Sequence, residues 1–110
     1  MSKNLLICDL LALYGPLLTE KQAHLLELYY FDDLSLSEIA ENEGGSRQGA
    51  MDVIKRAEKE LLYMEEKLGL LNRNKVQAEI VLALKNAVSE NSVDKISDLI
   101  KRLEQSLEDN

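Results

Sequence analysis

The stretch from Leu34 to Lys55, LSLSEIAENEGGSRQGAMDVIK, decides the fold of this chain. Leu36, Ile39 and Ala40 recur at the three- and four-residue spacing that places side chains on one face of a helix. Ser35 with Glu38 three residues on has the spacing of a capping box, which opens that helix. Gly44-Gly45 supplies a tight turn that admits positive φ. Ser46 then stands as N-cap of a second helix whose first exposed side chains are Arg47 and Gln48. Helix, glycine turn and helix make the helix-turn-helix arrangement, whose second helix enters the major groove of DNA with its N-terminal residues against base edges.

Working outward, residues 5–14 form an apolar-rich first helix that stops near Gly15-Pro16, because proline disfavours helical geometry in the residue before it. Thr19 and Gln22 repeat the capping-box spacing, so a second helix runs from Glu20 to about Phe31 with Leu25, Leu28 and Tyr29 inward. The helix after the glycine turn is the longest. Ala50, Ile54, Ala57, Leu61, Met64 and Leu68 lie four, three, four, three and four residues apart, a heptad stripe. Its part beyond Leu61 extends past the preceding helices, and Gly69 ends it. From Asn72 the pattern restarts with Val76, Ile80, Leu84, Ala87 and Val88, then a turn at Ser89 to Asn91. Ser92 caps a last helix bearing Val93, Ile96, Ile100, Leu103 and Leu107. Two amphipathic helices joined by a short polar turn make a helical hairpin.

The composition agrees with an all-helical chain. It has 110 residues with one Pro and five Gly, 45% apolar residues and 5% aromatic ones. That is room for one domain and a small appendage, and the division expected is a helix-turn-helix domain over 1–71 and a hairpin over 72–110. The net charge of −7 is unevenly spread, with −6 in residues 1–71 and −1 in the rest. Ser46 to Lys59 is locally basic, carrying Arg47, Lys55, Arg56 and Lys59 against Asp52 and Glu58. Any footprint for phosphate falls there, on a body that repels it, so binding should be weak and salt-sensitive. Cys8 is the only cysteine, which points to a reducing, cytoplasmic setting. The apolar opening is broken at Asp9 and reads neither as a signal peptide nor as a membrane span.

Between Leu18 and Leu62 the motifs LLTEKQ (17–22), ELYY (27–30), DLSLSEIAE (33–41), SRQ (46–48) and IKRAEK (54–59) follow one another in a combination more specific than any one of them. On these residues the sequence resembles region 4 of bacterial sigma factors, and more closely the YlxM family of sigma-region-4-like regulatory proteins. The resemblance covers residues 5–71 well and the remainder hardly at all. It implies an all-α, sigma-region-4-like helix-turn-helix bundle with a long fourth helix and a C-terminal helical hairpin. The family's genes lie beside those of the signal recognition particle GTPase and its receptor, which implies a regulatory or accessory part in that pathway. The chain departs from the family pattern at the helix joint. Three positions usually apolar there are Glu43, Gly45 and Ala50, and Gly49 sits inside the recognition helix at a cost of about 1 kcal/mol relative to Ala.

The nucleic-acid-binding residues expected are Arg47, Gln48, Met51, Lys55, Arg56 and Lys59. Arg47 and Gln48 suit hydrogen bonds to guanine and adenine edges, or else are solvated residues of a surface helix. Lys55, Arg56 and Lys59 suit phosphate, another acidic macromolecule such as RNA, or plain solvation. Asp52, on the same side, would repel phosphate. The long stripe through Leu61 and Leu68 is covered either by a second copy, the homodimer expected here, or by the hairpin folding back. His24 has no Cys or second His near it in sequence, and Cys8 reads as a small core residue. Tyr14, Tyr29, Tyr30 and Tyr63 read as packing at the edge of the core. With no phosphate loop, activated nucleophile or metal-ligand cluster, the expectation is a regulatory protein that is not an enzyme and has no cofactor or metal. Its expected partners are DNA, bound weakly, or the signal recognition particle protein or RNA, with no membrane insertion.

Overall fold

The computed structural model describes residues 3–108, and every regular element in that span is helical. The Asn4 side chain accepts the Leu6 N–H at 3.0 Å and opens α1, Leu5–Tyr14, which buries Ile7, Leu10, Leu11 and Tyr14. A short 3₁₀ turn, Gly15–Leu17, carries Pro16 where a missing N–H costs nothing. Thr19 and Gln22 then form both halves of a capping box at 3.1 and 3.2 Å, starting α2, Glu20–Tyr30. Leu25, Leu26 and Tyr29 are its buried residues; Leu26 was not among the inward positions expected, and Leu28 is only half-buried.

The chain leaves α2 through Asp33, whose φ of 55° is tolerated by Asp better than by most side chains. Lys3 braces this exit, donating to the Tyr29 carbonyl and the Asp33 carboxylate at 2.6 Å each. Its hydrogen bond and its charge hold the Asp33 carboxyl below the usual carboxylate range. Ser35 and Glu38 form the second capping box and start α3, Leu36–Glu43. Backbone and side-chain hydrogen bonds from Ser35 hold the Glu38 carboxyl low, so this cap is complete near neutral pH and is lost as pH falls through that lowered value.

The fourth helix, α4, runs from Arg47 to Leu68 and buries Ala50, Ile54, Ala57 and Leu61. Beyond Leu61 the stripe emerges, with Met64 half-buried and Leu68 exposed. Two tyrosine–carboxylate bonds add to this anchorage. Tyr14, fully buried, donates to Glu65 Oε1 at 2.7 Å, and Tyr30 donates to Glu58 Oε1 at 2.7 Å. Residues through Lys67 make one compact unit and those from Leu68 a second. Gly69, with φ 62° and ψ 23°, turns the chain between α4 and the next helix, a left-handed conformation that glycine adopts without strain.

The second unit is a hairpin of α5, Leu70–Ser89, and α6, Val93–Glu108. The fifth helix begins two residues before the restart expected at Asn72. Its turn is a Schellman motif. Ser92 N–H bonds to the Ala87 carbonyl at 3.1 Å and Asn91 N–H to the Val88 carbonyl at 3.1 Å, with Asn91 left-handed at φ 54°. Gln77 near the start of α5 donates to Ser106 near the end of α6 at 3.2 Å, which fixes the antiparallel register. Asn91→Val is expected to lower the hairpin's stability by about 1–2 kcal/mol and Asn91→Gly to leave it intact, since glycine and asparagine adopt the left-handed conformation readily and a β-branched side chain is strained most there. Thermal unfolding of both variants followed by circular dichroism checks this.

The hairpin's seam differs from the expected one. Ile80 and Ala87, seven residues apart, are buried on α5, whereas Val88, one residue further round the helix, is exposed. On α6 the half-buried residues are Ile96, Leu99, Leu103 and Ser106, and none is fully buried. Val93, Ile100 and Leu107, expected on the same inner face, are 76%, 46% and 60% exposed. The apolar face of α6 is wider than the one seam that a single neighbouring helix covers.

Candidate nucleic-acid interface

The turn before α4 is made by Gly44 at φ 82° and Gly45 at φ 96°. Ser46 is the N-cap: its Oγ accepts the Gly49 N–H at 2.9 Å and its carbonyl the Ala50 N–H at 3.0 Å. The first turn of α4 carries no acidic residue, so the positive end of the helix dipole is uncompensated at that end. Arg47, Gln48, Lys55, Arg56 and Lys59 are exposed and Met51 is half-buried. The buried stripe Ala50, Ile54, Ala57 and Leu61 fixes which way α4 rolls, and that roll turns Gln48, Asp52, Lys55 and Lys59 to the opposite side.

Asp52 has a role not anticipated from its charge. Gln48 Nε2 donates to Asp52 Oδ1 at 2.9 Å, one helical turn away. The glutamine amide is thereby held in one orientation, while its carbonyl oxygen and second N–H stay available for an adenine edge.

The helix joint is open, as its small and polar residues led one to expect. A cleft of about 140 Å³ lies between α2, α3 and the start of α4, lined among others by Leu25, Ile39, Glu43, Gly45, Gly49 and Ala50. Next to it, His24 Nε2 lies 2.9 Å from Glu43 Oε1, which joins α2 to α3 across the exposed rim. A Cβ added at Gly49 would meet Ser46 Oγ at 3.2 Å. The roughly 1 kcal/mol of helix propensity lost at that glycine is thus balanced against the freedom of the cap oxygen, which is worth about as much.

The tyrosine–carboxylate bonds were not readable from spacing, because the partners are 28 and 51 residues apart. They turn Glu58 and Glu65 inward, toward α2 and α1, away from the basic face. Burial first, then the hydrogen bond to Glu58 and its negative charge, push the Tyr30 hydroxyl far above its ordinary value near 10. The folded state therefore keeps this proton while the unfolded chain releases it. Stability is untouched below about pH 10 and lost as pH rises beyond it. An alkaline titration read at 295 nm should show Tyr30 ionising only as helical signal disappears, and Tyr30→Phe should remove that late component.

Tyr63 contradicts its expected place at the core edge. It is 58% exposed, with the Lys67 ammonium 5.5 Å from its ring centroid. Cys8 is half-buried. Among the described residues no three His, Cys, Asp or Glu side chains converge on a metal-sized site, and no helix is long and apolar enough to cross a membrane.

Residues 1–102 match the family described as "Putative helix-turn-helix protein, YlxM / p13 like". A UPF0122 protein of Clostridium kluyveri is 48% identical over 75 residues, 68% of either chain. One from Clostridium acetobutylicum is 44% identical over 86 residues, 78% of this chain and 74% of the relative. One from Desulforamulus reducens is 55% identical over 60 residues, 54% of this chain and 51% of the relative. With most of its length matched, including the turn and the whole of α4, the chain belongs to the YlxM / p13-like helix-turn-helix family.

Proposed function

We propose that this protein is a cytoplasmic regulator without enzymatic activity that binds nucleic acid weakly through α4, and that it works as a homodimer. The observation that carries the reading is a run of exposed cations along α4, Arg47, Lys55, Arg56 and Lys59, behind a capped first turn that has no acidic residue, on a molecule with a net charge of −7. Arg47 to Lys59 spans about 18 Å of helix at 1.5 Å per residue. A major groove is about 12 Å wide. Arg47, Gln48 and Met51 therefore meet base edges, and Lys55, Arg56 and Lys59 lie along the bordering phosphates. Phosphate contacts set affinity and position, while the base contacts carry the sequence preference.

Pairing follows from the hairpin. Val93, Ile100 and Leu107 recur at heptad spacing on an exposed flank of α6, and the hairpin unit is close to neutral while the first unit carries most of the negative charge. A second copy covers that flank with little repulsion and brings a second reading helix, the usual way such modules gain affinity.

Fluorescence anisotropy with labelled duplex DNA at about 50 and 200 mM salt tests the reading. Three phosphate contacts predict a loss of roughly 40-fold in affinity across that interval. Arg47→Ala should weaken binding and flatten preference among sequences. Salt-independent binding, or no binding at low salt, would count against the proposal.

A second reading has the chain modulate the signal recognition particle GTPases by contacts to their protein or RNA. It draws on the anionic surface and on the open cleft at the helix joint, both better suited to a protein partner than to DNA. Co-purification of that GTPase or its RNA with the tagged protein favours it.

A further inference from the structure

We infer that the second half of α4 is a separate binding track for unpaired nucleotides, with Tyr63 as its stacking platform. This extends the nucleic-acid reading to a different form of nucleic acid: it shares Arg56 and Lys59 with the duplex site and adds Tyr63 and Lys67. Tyr63 follows Arg47 by sixteen residues, about 24 Å along the helix. When the start of α4 sits in a major groove about 12 Å wide, Tyr63 is outside it. Nothing in duplex reading accounts for a tyrosine ring left open to water at that point.

The surroundings of the ring have the chemistry that single strands require: a π face flanked by cations that follow a backbone. Arg56, Lys59, Tyr63 and Lys67 succeed one another at three- and four-residue steps, so they share one exposed face. Lys67 holds its ammonium 5.5 Å from the ring centroid, which places a positive charge beside any base stacked there. On the side toward the N-terminus, Arg56, Lys59, Glu60, Tyr63 and Met64 line a shallow depression. The stems of Arg56 and Lys59, the Met64 thioether and the Tyr63 ring suit the flat face of a base, and the charged ends of Arg56 and Lys59 suit phosphate. The hydrogen bond that Glu65 accepts from Tyr14 draws one carboxylate inward from this neighbourhood, while Glu60 and Glu66 remain and weaken the attraction for phosphate that the cations supply. The occupant is argued from charge: three cations on one helix face of a chain whose net charge is −7 select a polyanion over a second, equally anionic copy.

The experiment uses the full-length protein with a labelled oligothymidylate of about twelve nucleotides, and a duplex of the same length, at about 50 mM salt. Tyr63→Ala is expected to weaken the oligothymidylate by about 5- to 100-fold, the range that loss of one stacked base gives, and to leave the duplex unchanged. Arg47→Ala should do the reverse. The chain has no tryptophan, so Tyr63→Trp introduces a lone reporter that keeps the stacking surface. Its fluorescence should be quenched by the oligothymidylate with affinity retained. Unchanged binding by Tyr63→Ala, an unquenched reporter, or a change in sedimentation mass in place of binding would each overturn the inference. Loss of duplex binding alone would strike the groove-reading proposal and leave this one standing.

Discussion

Ile54→Ala is expected to lower the unfolding temperature of the first unit by roughly 10–25 °C, the result of losing about 2–4 kcal/mol in a small unit. Ile54, Ala57 and Leu61 are fully buried on α4, and Ile54 is the bulky residue nearest the helix's reading end. Its three outer carbons fill space that an alanine leaves empty, and the neighbouring Ala57 is too small to move in. The loss is magnified by what α4 carries. Every residue proposed to touch nucleic acid is on this helix, so binding should fail in step with unfolding and recover on cooling. Ile54→Val, which removes one methyl group, should cost only about 0.5–1.5 kcal/mol and keep binding. Circular dichroism melts of the three proteins decide the matter. A melting temperature for Ile54→Ala within a few degrees of the parent would mean that α4 does not depend on this seat.

Lys55→Glu with Arg56→Glu should weaken duplex binding by about 100-fold or more at low salt. Two charge-assisted contacts at about 1.5 kcal/mol each account for that factor, before counting the repulsion that the new carboxylates add. The salt dependence should become shallower by nearly two units in slope, because two fewer counterions are released. Preference among duplex sequences should survive, since Arg47 and Gln48 are untouched. Both substituted residues are exposed, so the melting temperature should barely move. Asp52→Ala makes an instructive contrast: removing a negative charge should tighten binding overall, while releasing the Gln48 amide should blunt preference at one base pair.

Local chemistry made much of this architecture readable from the sequence. Thr19 with Gln22 and Ser35 with Glu38 start helices wherever they occur, because the bonds they form span only three residues. The glycine pair and Ser46 likewise mark the turn by their own conformational needs. The stripe on α4 was legible as far as Leu61 because the helices before it supply a surface to bury against. What spacing could not supply was pairing at a distance. Tyr14 and Tyr30 are tyrosines in apolar helices, and nothing in their surroundings names Glu65 or Glu58 as acceptors. The seam of α6 was misjudged for a related reason. Val93, Ile100 and Leu107 share the heptad spacing of Ile96 and Leu103, and only the position of α5 decides which set lies inward. At the candidate interface the residue types and their helix were legible, whereas the bond from Gln48 to Asp52 was read only as a repelling charge. Tyr63 was placed at the edge of the core because aromatic residues usually go there, but it lies two residues past the buried Leu61, about 200° round the helix, and so faces outward.

Gly44 and Gly45 have room on every side: a methyl group at either would touch nothing within 4 Å. Yet their φ of 82° and 96° is nearly closed to every other amino acid. A saturation library scored for folding should therefore reveal two adjacent surface codons as unforgiving as those of the hydrophobic interior. Mapped onto the molecule, that patch would look like a binding spot, when its intolerance reports the handedness of the main chain.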